Sequence, residues 1–274
     1  MKLFIRAEEI VSHGKIWHNA GVIAEDGVIL GIADACPADA RLVEAEGKYL
    51  APALIDLHCH GGAGYEFIDG TEESVMGALA LHAKGGTGIM YPTVSAADYD
   101  TTYKALEALE RIGDEAPVLV PGVHLEGPYL SPEMCGAQDP GIVRKPNPEE
   151  YRALYDRFGS LIARWDYAPE EDEGQAFARF LKEKGIVSST AHSAAQYKHL
   201  KPAMELGNRL VTHLYSCTST VVREDGFRKL GVIETAFLEE DMLVETIGDG
   251  CHLPPELLRM IFRIKGADRI CLEL

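Results

Sequence analysis

The sequence contains no stretch of 18 apolar residues, so no transmembrane helix is expected. It has no CxxC pair: Cys36, Cys59, Cys135, Cys217, Cys251 and Cys271 are scattered, which favours free thiols in a reducing, cytoplasmic setting. Positive charge is scarce, with 26 Lys and Arg against 43 Asp and Glu, a formal net charge of −17. A surface of that sign repels nucleic acid and anionic membrane, which argues against both as partners. Any phosphorylated ligand would then need a local cluster of Arg, His or backbone N–H groups. The first residues, Met1 to Glu9, carry charges within their short apolar run and no cleavage site, so they do not read as a signal peptide. Internal repeats and low-complexity tracts are also missing.

What is present is an ordinary globular composition, 46% hydrophobic and 25% charged, in 274 residues. That length suits one large domain with a small appendage. Residues 1–50 read as a partial β-sandwich domain of several short strands, such as Lys2–Ile5 and Gly21–Ala24, separated by turn signals at His13-Gly14 and Asp26-Gly27. From Ala51 the rhythm becomes apolar strand, loop, helical pattern. Strands are expected at Leu54–His60, Gly88–Thr93, Val118–Glu126, Leu161–Ala168, Ile186–His192, Arg209–His213, Leu243–Gly248 and Arg269–Leu272. Helical spacing lies between several of them, as at Glu72–Lys84, Tyr99–Ile112, Gln175–Lys184 and Pro254–Ile264. The alternation predicts right-handed βαβ units, and eight of them an α/β fold of the (β/α)₈ TIM-barrel type over residues 51–274, incomplete at its C-terminal end.

Four segments carry candidate chemistry. His58-Cys59-His60 follows an apolar run; on a strand the two imidazoles share one face and Cys59 takes the other. Glu126 ends an apolar strand before Gly127-Pro128, and His124 shares its face, either orienting it or serving structure. His192 and His213 each close a later strand, at the end of a barrel where active sites are built. Any one of these is weak evidence, but together they converge at one mouth. Three protein ligands with an open position would suit catalytic zinc. His13, His18, His82 and His199 read as surface residues, and Cys217 and Cys251 as lining near the site.

With His124-Leu125-Glu126-Gly127-Pro128-Tyr129, Ala53–Gly61, Ala168-Pro169-Glu170, Thr212-His213-Leu214-Tyr215 and Gly248–His252, the sequence resembles the amidohydrolase superfamily. Within it the likeness is to the N-acetylglucosamine-6-phosphate deacetylases, from about Gly47 to Leu272. The resemblance implies a cytoplasmic metal-dependent hydrolase removing acetate from an amino sugar phosphate, with one or two divalent ions, zinc being expected, and a homodimeric assembly. It implies Glu126, His192 and His213 as ligands of the main ion and His58 and His60 as ligands of a second. His252 is expected at the sugar, and Arg223, with Arg228 as competitor, at the phosphate, where a guanidinium pairs well.

There are three departures. Gln138 stands where many members have His, and Ser216-Cys217 where they have Asn-Ala, with a loop one residue shorter before Arg223. Both changes bear on substrate contacts and leave N-acetylgalactosamine 6-phosphate, or a cyclic amide, as alternative substrates. Strand eight of the family continues into an Asp that serves as general acid/base; here that Asp is expected beyond Leu274, and Glu273 falls two places before it. The rival reading is a metal-binding chain impaired in catalysis.

Overall fold

The chain divides into two compact units, Met1–Leu54 and Ile55–Leu274. The computed structural model describes residues 1–45 and 49–273. Gly47, where the resemblance begins, and Leu274, after which the strand-eight Asp is expected, lie outside the described residues.

In the first unit, β1 (Lys2–Ser12) and β2 (Lys15–Glu25) form an antiparallel hairpin that continues into β3 (Val28–Ala33). Both connections are two-residue turns with positive φ at each residue, His13 (51°) and Gly14 (69°), then Asp26 (47°) and Gly27 (83°). This conformation matches the twist of the flanking strands, which is why the sequence places Gly second in each turn. β4 (Arg41–Glu44) and β5 (Tyr49–Leu50) pair parallel to β1. The strands are longer than the short runs expected. Phe4, Ala7 and Ile10 are buried at a spacing of three, so they fall on both faces and hide the two-residue alternation.

The second unit opens with β6 (Leu54–Cys59), a small ribbon of β7 (Gly61–Gly62) with β8 (Tyr65–Glu66), then α1 (Glu72–Gly85). It continues through β9 (Thr87–Val94), α2 (Tyr99–Ile112), β10 (Val123–Glu126), α3 (Pro148–Phe158), β11 (Ile162–Tyr167) and α4 (Ala176–Lys184). β12 (Val187–Thr190), α5 (Tyr197–Glu205), β13 (Leu210–Val211) and a hairpin of β14 (Val222–Glu224) and β15 (Phe227–Lys229) follow. α6 (Val232–Leu238), β16 (Leu243–Ile247), α7 (Pro255–Lys265) and β17 (Ile270–Glu273) complete it. The strands bond in the order β17-β16-β13-β12-β11-β10-β9-β6, each beside its predecessor in the chain, with parallel pairing from β9 to β17. This is the (β/α)₈ barrel architecture expected.

Local chemistry sets the helix ends. Thr71 and Asp98 accept the backbone N–H groups of Ser74 and Thr101 at the starts of α1 and α2, and Asn147 caps α3 ahead of Pro148. Strand 118–126 is shorter than expected: only Val123–Glu126 is regular, and Leu119 makes an isolated bridge to Ile89 before Pro121-Gly122 interrupts the ladder.

Along β11 the alternation sends Trp165 and Tyr167 outward to Phe177, and Arg164 and Asp166 inward. The barrel interior is therefore polar at this level, where apolar branched side chains are usual. Arg164 forks onto Glu245 of β16 (Nη2 to Oε2 2.8 Å, with a second bond from Nη1 to Oε1) and donates to Asp166 Oδ1 at 3.0 Å, Ser189 Oγ at 3.0 Å and Thr212 Oγ1 at 2.7 Å. Burial resists every charge here, but the guanidinium holds both carboxylates well below their ordinary range. Arg164→Met would strand two buried anions. It is expected to cost about 3–5 kcal/mol, read by urea unfolding, and a loss below 1 kcal/mol would show that the layer is not a charge-balanced unit.

Candidate metal centre

Glu126 ends β10 fully enclosed, and four imidazoles close on its carboxylate from three other elements. His192 Nε2 lies 3.1 Å and His213 Nε2 2.8 Å from Oε1, and His60 Nε2 lies 3.2 Å from Oε2. His58 Nε2 is 3.9 Å from Oε1 and 3.2 Å from His60 Nε2. The strand alternation brings the two histidines of β6 and its following residue to one face, as expected. Cys59 turns outward, where its Sγ meets His82 Nε2 at 3.2 Å and the Gly61 carbonyl at 3.2 Å. His82, expected at the surface, is thus packed between α1 and β6 because its ring also reaches the Gly61 carbonyl at 2.9 Å.

The far nitrogen of each ring is held from behind. His192 Nδ1 lies 2.9 Å from the Met134 carbonyl, His213 Nδ1 3.2 Å from the Ser216 carbonyl and His60 Nδ1 2.8 Å from Ser95 Oγ. A carbonyl can only accept, so the two backbone contacts place hydrogen on Nδ1 and leave Nε2 free to ligate. An enclosed carboxylate ringed by imidazole Nε2 atoms calls for positive charge between them, carried by a ring proton or by a cation. Burial disfavours the charge on His192, but Cys217 and Glu126 beside it outweigh this and raise its pKa to about 10. Burial likewise works against ionised Glu126, and contacts from His192, His213 and His60 still hold it well below the usual range. The residues therefore fit a divalent ion: the proton on His192 supplies compensating charge until a metal replaces it.

The loops carrying these side chains are strained. His192 (φ 42°), His213 (φ 32°), Tyr215 (φ 80°) and Cys217 (φ 51°) all occupy the left-handed region, which costs non-glycine residues of order 1–3 kcal/mol each. Gly136 lets its loop close over them; a Cβ there would come within 2.3 Å of Cys217 Sγ and 3.3 Å of the His192 ring. Glu170, of the Ala-Pro-Glu segment, accepts from Ser193 Oγ at 2.7 Å and from Ala194 N, fixing the turn after His192.

The remaining candidates fall in several places. Gln138 donates to Glu126 Oε2 at 3.0 Å and accepts from Ala96 N at 3.2 Å, so it touches the centre itself. His124, expected to orient Glu126 or serve structure, lies against Thr93 Oγ1 (3.0 Å) and Asp166 Oδ1 (3.0 Å), with its ring edge-on to His58 at 4.8 Å. Arg223 and Arg228 face each other across the exposed β14–β15 hairpin. His252 is half exposed and held by Asp249 at 2.8 Å, while Cys251 is exposed. Thr93, Ser95, Arg164, Asp166 and Glu245 escaped the sequence reading. The available signal was charge inside apolar strand runs, at Arg164, Asp166 and Glu245.

No family model matches the chain. It is 31% identical over 277 residues to the N-acetylglucosamine-6-phosphate deacetylase of Lysinibacillus sphaericus, covering 99% of this chain and 70% of that one. The chain belongs to the N-acetylglucosamine-6-phosphate deacetylase family. The family's structural likeness extends to the enzyme of that name from Mycobacterium smegmatis, a D267A mutant in complex with N-acetyl-D-glucosamine-6-phosphate, with a TM-score of 0.84 at 26% identity over 99% of this chain and 70% of that one. Another member of this wider group, the N-acetylgalactosamine-6-phosphate deacetylase of Escherichia coli O157:H7, is 30% identical over 86% of this chain and 61% of its own length.

Because His192 is protonated at neutral pH until metal displaces the proton, metal uptake should release protons and weaken as pH falls below about 10. Calorimetric titrations in buffers of differing ionisation heat measure this. Equal heats across the buffers would show that His192 carries no displaceable proton.

Proposed function

We propose that the chain hydrolyses the acetamide of N-acetylglucosamine 6-phosphate, yielding glucosamine 6-phosphate and acetate. The observation that carries this reading is the convergence of four imidazole Nε2 atoms on the buried Glu126 carboxylate, in a chain of this family. Glu126, His192 and His213 are the ligands of the main divalent ion, and His58 and His60 those of a second, with zinc favoured by the N/O donor set. Such an ion supplies an activated water and polarises the amide carbonyl. His60, whose side chain is 42% exposed, lies on the open side of the centre. Gln138 fixes the second oxygen of Glu126, and Ser216 and Cys217 border the ring of His213 and His192. His252, held by Asp249, is assigned to the sugar. Arg223 is assigned to the phosphate, with Arg228, its cross-strand neighbour on the same hairpin, as competitor; a guanidinium pairs well with a phosphate.

A cytoplasmic setting and a homodimer belong to the same reading; the six free cysteines support the first. No described helix is long and apolar enough to cross a membrane. N-acetylgalactosamine 6-phosphate is the second candidate substrate, favoured by the E. coli relative's name, and assay of both sugar phosphates decides between them. Turnover itself separates a competent hydrolase from a chain that only binds metal and substrate.

His192→Ala or His213→Ala should abolish tight metal binding, whereas His58→Ala or His60→Ala should release only a second ion. Elemental analysis showing unchanged metal in the first pair would overturn the ligand assignment. Arg223→Ala should weaken the phosphorylated sugar by about 1.5–3 kcal/mol and leave the unphosphorylated sugar nearly unaffected. An effect confined to Arg228→Ala would instead make that residue the phosphate ligand.

A further inference from the structure

Among the buried side-chain atoms of the described residues that lack a hydrogen-bond partner, two face each other. They are His58 Nδ1 and Glu273 Oε1, 3.6 Å apart, on side chains only 5% and 8% exposed. An unpaired buried group of this kind is costly, and two at near-bonding distance are a pair awaiting a small adjustment. Glu245 Oε2 also approaches His58 Nδ1, at 3.7 Å, but each of its oxygens already accepts from Arg164. Glu273 Oε1 accepts from no described donor, and it is the nearer of the two.

The two residues also occupy special positions. His58 lies on β6 and Glu273 on β17, the two end strands of the eight-strand ladder, and no backbone pairing joins them among the described residues. Glu273 is fixed from the other side, its carbonyl accepting from Gly248 N at 2.7 Å. Three of the four converging histidines have a backbone carbonyl or a hydroxyl behind the ring, whereas His58 has this carboxylate.

We propose that Glu273 is a positioning residue for His58: its carboxylate takes the hydrogen of Nδ1 across the barrel seam and presents the Nε2 lone pair to the His60 side of the centre. The inference rests on the metal-centre reading and adds that the last strand controls the second ion position. A carboxylate behind a ligating imidazole fixes its orientation and strengthens it as a donor, and removing such a partner typically weakens metal affinity by about 10–100-fold. The main position, backed by carbonyls, does not depend on Glu273.

The test uses the full chain with Glu273→Gln, which keeps an accepting oxygen, and Glu273→Val, which does not. Competitive zinc titration should show two steps, with the weaker assigned by its loss in His60→Ala. Glu273→Val should weaken that step by about 10–100-fold and leave the tighter one unchanged, and Glu273→Gln should stay near the parent. In nitrogen-15 spectra of the zinc-loaded chain, the His58 Nδ1 proton should exchange slowly with water in the parent and the Gln variant and rapidly in the Val variant. Equal weakening of both steps would reduce Glu273 to a structural role, and no weakening would remove the role altogether. A parent that binds one ion, unaffected by His60→Ala, overturns the inference while the main site stands. A parent that binds none overturns both.

Discussion

A carboxylate buried as deeply as Glu126 cannot remain charged without positive charge brought to it. Most of the second unit can be read as the arrangement that brings it. Strands β6, β12 and β13 end where their histidines reach the same oxygen atoms, and loops around Met134, Ser216 and Glu170 orient the rings from behind. The backbone strain at His192, His213, Tyr215 and Cys217 is the cost of that convergence. It persists because the loops are tied at several points.

Beneath the centre lies a second solution to the same problem. Arg164 neutralises Asp166 and Glu245 within the barrel, and the Ser189 and Thr212 hydroxyls donate to Asp166, with His124 lying beside it. Burial holds the His124 pKa down to about 4, helped by Arg164, so this ring stays neutral between two charged layers. The interior thus holds two compensated charge clusters, one around Glu126 and one around Arg164, with a neutral His124 beside both His58 and Asp166.

Much of this was legible in the sequence. The eight strand runs fall on the observed strands because buried parallel strands must be apolar, and α1, α2, α4 and α7 because their apolar periodicity is continuous. α3, α5 and α6 were less legible: α3 is largely polar, α5 contains Pro202, and α6 has only seven residues. The ligand histidines could be picked out as polar residues terminating apolar runs. Their supports could not, because a backbone carbonyl such as that of Met134 leaves no mark in a sequence. His82 was misread for a related reason: a histidine on a helix looks exposed until the strand beneath it is known to present Cys59.

The arginine hairpin has a kinetic consequence. Two like charges directly opposite one another repel, so β14–β15 gains from any anion that bridges them. Yet the molecule around them carries a formal charge of −17. A phosphate ester approaching from a distance meets repulsion first and attraction only at close range, within about 8 Å at physiological ionic strength. If the hairpin holds the phosphate as proposed, added salt acts in opposite directions on the two stages, speeding encounter by screening the acidic surface while loosening the hold of the arginine on the bound anion.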